Sequence, residues 1–192
     1  MSKTKEQIIY FVDTETTGLD WRRHEIVSIG IVVARKLDNK LEVTDEVEYL
    51  IKPDRLESAD PIALKINKYN DADWAGAMDK ATVMDLLWTR LYVPTEGDYK
   101  SEINSVILGG HNVHFDLLFL AKLISDYDKT LTPRHVIDTY ALARHLLVGD
   151  IRPESYSLRS LCQFYDITND KPHTALADAR ASYEVYKKLS AL

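Results

Sequence analysis

The chain has little of several features that would define a class of protein. Cys162 is its only cysteine, which excludes an internal disulfide and a cysteine-based zinc site and suits a reducing compartment. Its net charge of −6 provides no strong basic field of the kind that marks nucleic-acid surfaces. No apolar run approaches a membrane span, and the polar start "MSKTKEQ" does not resemble a signal peptide. We therefore expect a soluble, cytoplasmic protein without a membrane partner.

The composition fits one globular domain. The 192 residues are 45% hydrophobic, which is enough for a sizeable core. The sequence contains no internal repeat, no low-complexity tract and no linker long enough to divide it. We therefore expect a single domain over residues 1–192. Its negative charge remains compatible with a polyanionic substrate if the acids are concentrated in a metal site.

The order of apolar segments predicts an α/β fold. Three strand-like segments come first, "QIIYFVDTE", "EIVSIGIVVARK" and "LEVTDEVEYLI", and their short connections predict an antiparallel meander. Helical segments then alternate with the strand-like segments "VILGG" and "HVIDT". The polar stretch Val93–Ser105 reads as a surface loop, and "FDLLFLAKLISDY" as a helix that is apolar nearly all round and therefore central. This pattern predicts a mixed central sheet, a meander plus parallel strands, flanked by helices.

Two carboxylates stand two residues apart in "FVDTETTGL", directly after the apolar run "IIYFV". Residues i and i+2 of a strand face the same side, so Asp13 and Glu15 should project together, with Thr14 on the opposite face. Roughly five acid-x-acid pairs are expected by chance at this composition, so the spacing alone is weak. The preceding apolar run and the following Thr-Thr-Gly turn distinguish this pair. Two anions this close repel unless a proton, a cation or solvent intervenes.

Further groups that could join this pair lie at predicted element boundaries. Asp116 falls in the first turn of a helix, where the helix dipole favours a negative charge, and stabilising that terminus is an equally good role for it. Pro172 disfavours helix before it, and Thr174 is a plausible N-cap. His173 then lies on a loop and Asp178 about one turn into the next helix. Both can reach one pocket, although an exposed loop histidine is more often only solvated.

Taken together, these segments resemble the DEDDh branch of the DnaQ-like 3′→5′ exonucleases, the family of polymerase proofreading subunits and ribonuclease T. "FVDTETTGL" is similar to the first motif, "GHNVHFDLLFL" to the second, and "HTALADA" to the third, in which a histidine precedes an aspartate by five residues. The resemblance covers nearly the whole chain in the same order, although Val93–Ser105 has no counterpart. It implies a ribonuclease H-like fold and an enzyme that releases nucleoside 5′-monophosphates from 3′ ends of DNA or RNA.

The same resemblance implies cofactors, partners and residue roles. The cofactors are two divalent cations, Mg²⁺ or Mn²⁺, and the partners are single-stranded nucleic acid 3′ ends and a polymerase or other replication protein. The implied metal ligands are Asp13, Glu15, Asp116 and Asp178, and His173 is the implied general base. The residues implied to bind the terminal nucleotide are Thr16, Thr17, Gly18, Leu19, Ile66, Asn67 and Phe115.

The chemistry of phosphodiester hydrolysis requires such groups independently of any resemblance. Hard cations take oxygen ligands, and two ions about 4 Å apart can generate hydroxide and stabilise the attacking and leaving oxygens. A histidine with an ordinary pKa of about 6.5 can accept the proton of water at neutral pH. Two other classes remain open, a non-catalytic nucleic-acid-binding or polymerase-associated module and a metal phosphohydrolase that acts on small nucleotides.

Overall fold

An antiparallel meander opens the central sheet, as the apolar segments at the start of the chain predict. The computed structural model describes residues 6–38, 40–92, 102–149 and 152–191. The first three strands are β1 (Gln7–Thr16), β2 (Ile26–Leu37) and β3 (Lys40–Leu50). β1 pairs with β2, and β2 pairs with β3, both in antiparallel register.

Two parallel strands complete this five-stranded sheet. β5 (Ile107–Gly110) pairs with β1, and β7 (His135–Asp138) pairs with β5. The strand order across the sheet is β3-β2-β1-β5-β7. β1 is therefore central, with an antiparallel neighbour on one side and a parallel neighbour on the other. The predicted α/β class with a mixed sheet is confirmed.

A small second sheet lies outside the predicted pattern. β4 (Glu102–Ile103) and β6 (Thr130–Leu131) pair in parallel. The prediction of a surface loop over Val93–Ser105 is therefore wrong at β4, where Ile103 is buried in the core. A two-residue strand is too short for alternation to be visible in the sequence. Residues 93–101 of that prediction lie outside the described residues.

Six α-helices accompany the sheets in the described part of the chain. They are α1 (Pro61–Ile66), α2 (Lys80–Leu91), α3 (His114–Ser125), α4 (Thr139–Leu146), α5 (Leu158–Phe164) and α6 (Ala175–Leu189), with 3₁₀ turns at Leu56–Ser58 and Asp73–Gly76. Each of these helices lies on or close to a segment that the sequence pattern predicts to be helical. None of the helices described has the length and apolar character needed to cross a bilayer.

Side chains of β1 alternate between two hydrophobic clusters. Ile9 and Phe11 pack against α6 on one face of the sheet. Tyr10 and Val12 belong to the cluster on the other face, which includes residues of α2 and α3. Because successive strand residues point to opposite faces, the end of β1 can present side chains to α6 and to α3 in turn.

α3 is less enclosed than its composition predicts. Phe119, Leu120 and Ile124 are buried, but Leu118 is 47% exposed. The prediction of a central helix is wrong in this respect, because α3 covers one face of the sheet and leaves its outer side to solvent. Its buried face also carries Asp116 in the first turn. α3 therefore contributes a polar group to the sheet as well as a hydrophobic surface.

Candidate active site

β1 extends beyond its parallel neighbour. β5 pairs with β1 only from Ile9 to Phe11, whereas β2 pairs with β1 as far as Thr16. Asp13 and Glu15 therefore lie where β1 has a strand partner on one side only, among the residues described. The sheet leaves space at this point for side chains and for groups from outside it.

The start of α6 approaches β2 closely and brings a third acid to this pair. Gly30 is the β2 partner of Asp13, and a Cβ at Gly30 would lie 2.2 Å from the carbonyl carbon of Ala175. Only a residue without a side chain leaves room for this contact. Asp178 lies one turn into α6. One carboxylate oxygen from each of Asp13, Glu15 and Asp178 lies within 4.8 Å of the other two.

Asp116 reaches the end of β1 from the opposite face of the sheet. Its Oδ1 accepts hydrogen bonds from the backbone N–H of Thr14 at 2.8 Å and from the Thr14 hydroxyl at 2.7 Å. Thr14 stands between Asp13 and Glu15, so β1 binds one acid on its α3 face while it presents two on its α6 face. The structure brings all four predicted acids to this strand end, with Asp116 outside the cluster of three.

The acids at this strand end disfavour one another's ionisation. Burial raises the pKa of Asp13 well above its ordinary value, and the charges of Asp116, Asp178 and Glu15 raise it further. Burial, followed by the charges of Asp178 and Asp116, raises the pKa of Glu15 to about 7. Burial also raises the pKa of Asp116 to about 7, although the hydrogen bonds from Thr14 oppose this rise.

No positive charge from the described chain compensates the four acids directly. None of them forms a salt bridge with a described lysine, arginine or histidine. Carboxylates held together in this way require protons or bound cations. The arrangement therefore offers carboxylate oxygens of the kind that divalent cations prefer.

Comparison with known proteins assigns the chain to a family. The family model described as exonuclease, of the RNase T family, matches residues 10–186, a range that contains the four acids and His173. The chain belongs to this exonuclease family. The predicted membership of the DnaQ-like exonucleases is confirmed. Enzymes of the family depend on divalent metal ions, and the acidic cluster of this exonuclease brings together three carboxylates that could hold such an ion.

Individual relatives are similar to this exonuclease over most of its length. DNA polymerase III subunit epsilon of Treponema pallidum is 30% identical over 180 residues, which cover 93% of this chain and 74% of that protein. The PolC-type DNA polymerase III of Caldanaerobacter subterraneus is 28% identical over 177 residues, 92% of this chain, and the chain spans 11% of its length. The zinc-bound E. coli exonuclease I complex with single-stranded DNA has a TM-score of 0.76 at 17% identity, with 97% of this chain and 41% of that chain covered. This last likeness confirms the predicted ribonuclease H-like fold.

The loop before α6 of the exonuclease binds both oxygens of Asp178. The amide Nδ2 of Asn169 donates to Oδ1 at 2.6 Å, and the backbone N–H of His173 donates to Oδ2 at 3.0 Å. His173 is exposed and has a φ of 64°, a left-handed conformation that is uncommon outside glycine. Thr174 occupies the predicted N-cap position, but its hydroxyl donates to the carbonyl of Lys171 instead of capping α6. The third motif's histidine and aspartate are thus joined by a direct hydrogen bond.

The turn after β1 is held by its two threonines. The Thr16 hydroxyl donates to the carbonyl of Gly18 at 2.8 Å, and the Thr17 hydroxyl accepts from the backbone N–H of Glu25 at 2.9 Å. Both threonines are buried, whereas Leu19 is 80% exposed. Within this predicted substrate-binding segment, the threonines shape the turn and Leu19 presents an apolar side chain to solvent.

The other predicted substrate-binding residues differ in exposure. Asn67 is buried at the end of α1, and its amide donates to the carbonyl of Thr16 at 3.0 Å. Its side chain therefore joins α1 to the turn after β1. Ile66 is 49% exposed, and Phe115 is half-buried with its ring centroid 4.9 Å from that of Phe119. Ile66 and Phe115 have surface available for a ligand, whereas Asn67 positions its neighbours.

Three residues make contacts at the site that the motifs do not predict. Thr14 and Asn169 donate hydrogen bonds to acids of the second and third motifs. Lys68 donates from Nζ to the carbonyl of Pro172 at 3.4 Å, and its charge opposes the rise that burial causes in the pKa of Glu15. The alternation of side chains along β1 did predict that Thr14 lies on the face opposite Asp13 and Glu15. The contacts of Asn169 and Lys68 depend on which loops the fold brings together, and no local pattern predicts that.

Proposed function

We propose that this chain is a 3′→5′ exonuclease that releases nucleoside 5′-monophosphates from the 3′ ends of single-stranded nucleic acid. The observation that carries the proposal is the cluster of Asp13, Glu15 and Asp178 at the end of β1, with carboxylate oxygens within 4.8 Å of one another. Membership of the exonuclease family supports it. The proposed unit of activity is residues 1–192 as one domain.

Two divalent cations, Mg²⁺ or Mn²⁺, are the proposed cofactors of the site. The proposed ligands are Asp13, Glu15, Asp116 and Asp178. Burial and neighbouring negative charges raise the pKa values of three of these acids, and bound cations would offset that effect. Bound ions of this kind lower the pKa of water and neutralise charge that develops on a phosphate. Thr14 and Asn169 would keep two of the ligands in place through their hydrogen bonds.

His173 is the proposed general base. It is exposed, and its backbone is bonded to Asp178, so the imidazole is carried on a segment that is anchored to a proposed metal ligand. A neutral imidazole can accept the proton of the attacking water, and the rate should therefore rise with pH as the imidazole loses its proton. The proton passes from water to the ring nitrogen, and the water oxygen bonds to the phosphorus. The bond from phosphorus to the 3′ oxygen of the preceding nucleotide breaks, and that oxygen takes up a proton from solvent.

The substrate is proposed to be held near its 3′ end. Leu19 and Ile66 expose apolar side chains that could pack against the terminal nucleotide, and the half-buried Phe115 could do the same. A chain of net charge −6 has no long basic track, so affinity should come from the cations and the last nucleotides. A polymerase is a proposed partner, because two of the relatives are named as parts of DNA polymerase III.

The experiment that tests this function follows the fate of 5′-labelled single strands of DNA and RNA. With Mg²⁺ or Mn²⁺, we expect stepwise shortening from the 3′ end and release of mononucleotides, and no reaction with a chelator. A circular single strand should stay intact. Strand binding without release would indicate a non-catalytic module, and a preference for free nucleotides would indicate a small-nucleotide phosphohydrolase. Cleavage of the circle would contradict an exonuclease.

The role of His173 is tested in the same assay. His173→Ala should slow hydrolysis by roughly 10²- to 10⁴-fold and remove the rise of rate with pH. His145 is an exposed histidine of α4, and His145→Ala is the matched control that should behave as wild type. Full activity of His173→Ala with an unchanged pH profile would contradict the assignment of His173 as general base. The proposal of a metal site would still stand.

A further inference from the structure

Lys68 occupies an unusual backbone position beside the proposed active site. It is exposed and has a φ of 59°. It follows Asn67, the C-cap of α1, and the N–H of Tyr69 donates to the carbonyl of Leu64 at 3.0 Å, a bonding pattern of left-handed helix ends. Glycine is favoured in this conformation, because other side chains strain it. Helix termination therefore explains the backbone of Lys68 but not its side chain.

The backbone on either side of Lys68 is tied to the site. The Asn67 amide donates to the carbonyl of Thr16 at 3.0 Å, and its oxygen accepts from the N–H of Tyr69 at 3.2 Å. The carbonyl of Lys68 itself accepts from the side chain of Asn70 at 3.1 Å. Lys68 is thus held in a fixed place relative to the turn that follows the acidic pair of β1.

The side chain of Lys68 reaches toward the loop that carries the proposed general base. Its Nζ donates to the carbonyl of Pro172 at 3.4 Å, next to His173, whose N–H donates to Asp178. The ammonium group therefore lies between α1 and the loop before α6, beside the segment whose backbone binds Asp178.

No acid of the described residues neutralises the positive charge of Lys68 through an ion pair. Lys68 forms no salt bridge with any acid of the described residues, and the Pro172 carbonyl is a neutral acceptor at a long distance. An ammonium group has three donors and bonds phosphate oxygens as a compact charge. Lys68 thus has both charge and donors to offer to an anion.

We infer that Lys68 is a substrate-binding residue whose ammonium group contacts a non-bridging oxygen of the phosphate at the 3′-terminal linkage of the strand. The inference rests on the proposed function, because it requires a strand end beside the acidic cluster. The acids repel incoming phosphates until cations bind, and a lysine at the edge of the cluster offsets part of that repulsion. The proposed contact depends on the charge of the Lys68 side chain rather than on its shape.

Binding to a labelled single strand, with Ca²⁺ in place of Mg²⁺ to slow hydrolysis, tests this inference. Lys68→Gln should raise Kd by about five- to tenfold and reduce the slope of log Kd against log salt by about 0.7. Lys68→Arg should retain most of the affinity. Lys65, an exposed lysine in the last turn of α1, provides the matched control, and Lys65→Gln should bind as wild type.

Two further measurements distinguish a contact of Lys68 with phosphate from a role in which Lys68 only holds the loop before α6 in place. A strand with an uncharged methylphosphonate at its 3′-terminal linkage should bind wild type and Lys68→Gln equally. Lys68→Gly should weaken binding while thermal stability stays the same or rises, since glycine relieves the left-handed backbone. Equal losses on both strands, or a loss of stability that parallels the loss of binding, would overturn the inference.

The proposed function and this inference fail in different ways. If wild type neither binds nor degrades a strand, both are wrong. If wild type degrades strands from the 3′ end but Lys68→Gln and Lys65→Gln bind with the same Kd, only the role of Lys68 is wrong.

Discussion

Asp116 and Glu25 are buried to nearly the same extent, with 4% and 5% of their surfaces exposed, yet they have opposite surroundings. Glu25 accepts a salt bridge from Lys80, a second from Arg55 Nε at 3.5 Å, and a hydrogen bond from the Arg55 backbone N–H at 2.8 Å. Asp116 has hydrogen bonds from Thr14 and acids as its charged neighbours. One buried acid is compensated by the chain, and the other is not.

This difference separates an acid that stabilises the fold from an acid that is suited to binding a ligand. The salt bridges of Glu25, which Lys80 extends to Asp54 at 2.7 Å, join the start of β2 to the segment after β3 and to the start of α2. The charge of Glu25 is therefore balanced by residues of the chain, without a bound ligand. In the part of the chain that the structure describes, none of the acids at the end of β1 forms such a salt bridge. Protons or bound metal ions can supply the compensation. Burial alone does not distinguish the two groups, whereas charge compensation does.

Removing one uncompensated acid should affect activity most. Asp13→Asn deletes a proposed ligand and relieves repulsion among the remaining acids, so we expect the exonuclease rate to fall at least about 10²-fold. Thermal unfolding in a chelator should occur at the same or a higher temperature than for wild type. Rates at saturating Mg²⁺ and melting curves measure the two effects. A variant with near-wild-type rate would make the end of β1 an ordinary acidic surface.

Removing the compensated acid should have the reverse effect. Glu25→Gln leaves Lys80 and Arg55 short of a counter-charge, so the free energy of unfolding should fall by about 1–3 kcal/mol, while the exonuclease rate stays close to that of wild type. Denaturant titrations measure the change. Glu42 pairs with Arg35 at 3.3 Å on the surface, and Glu42→Gln, the control, should change stability by less than about 1 kcal/mol. If Glu25→Gln lost activity but kept its stability, the contrast between Glu25 and the acids at the end of β1 would be wrong.

The pH dependence of the metal-free protein should show a smaller effect of the same origin. Burial and neighbouring acids raise the pKa of Glu15 and of Asp116 to about 7, whereas unfolded carboxyl groups titrate near about pH 4. The folded state therefore binds more protons between these values, and its stability falls as pH rises from about 4 to about 7. Glu15→Gln should reduce this fall.

Melting temperatures at pH 5 and pH 7.5, with a chelator or with Mg²⁺, measure that dependence. Bound cations favour the ionised acids, so the fall should be smaller with Mg²⁺. A metal-free melting temperature that drops equally in wild type and Glu15→Gln would show that other groups cause the change.

Sequence patterns predicted the parts of the molecule that depend on local periodicity. The alternation of β1 placed Asp13 and Glu15 on one face and Thr14 on the other, and the bond from Thr14 to Asp116 is consistent with that. Pro172 and the helical pattern after it located the start of α6 correctly. In each case, the geometry follows from the backbone of one element.

Features that arise between distant segments were not predictable in this way. The pairing of Glu25 with Lys80 joins residues that are each unremarkable in the sequence. β4 and β6 are two-residue strands that exist only as a pair. Lys68 gives no local sign of its position, because the bond to Pro172 spans most of the chain. Such contacts depend on tertiary structure, which local propensity does not determine.

The contact of α6 with Gly30 also sets an order of events during synthesis. β1 leaves the ribosome well before α6, so a growing chain carries Asp13 and Glu15 without Asp178. The cluster of three acids forms only when the start of α6 has been translated and has packed against Gly30. A nascent chain of this exonuclease therefore holds only two of the three clustered carboxylates until α6 has folded onto the sheet.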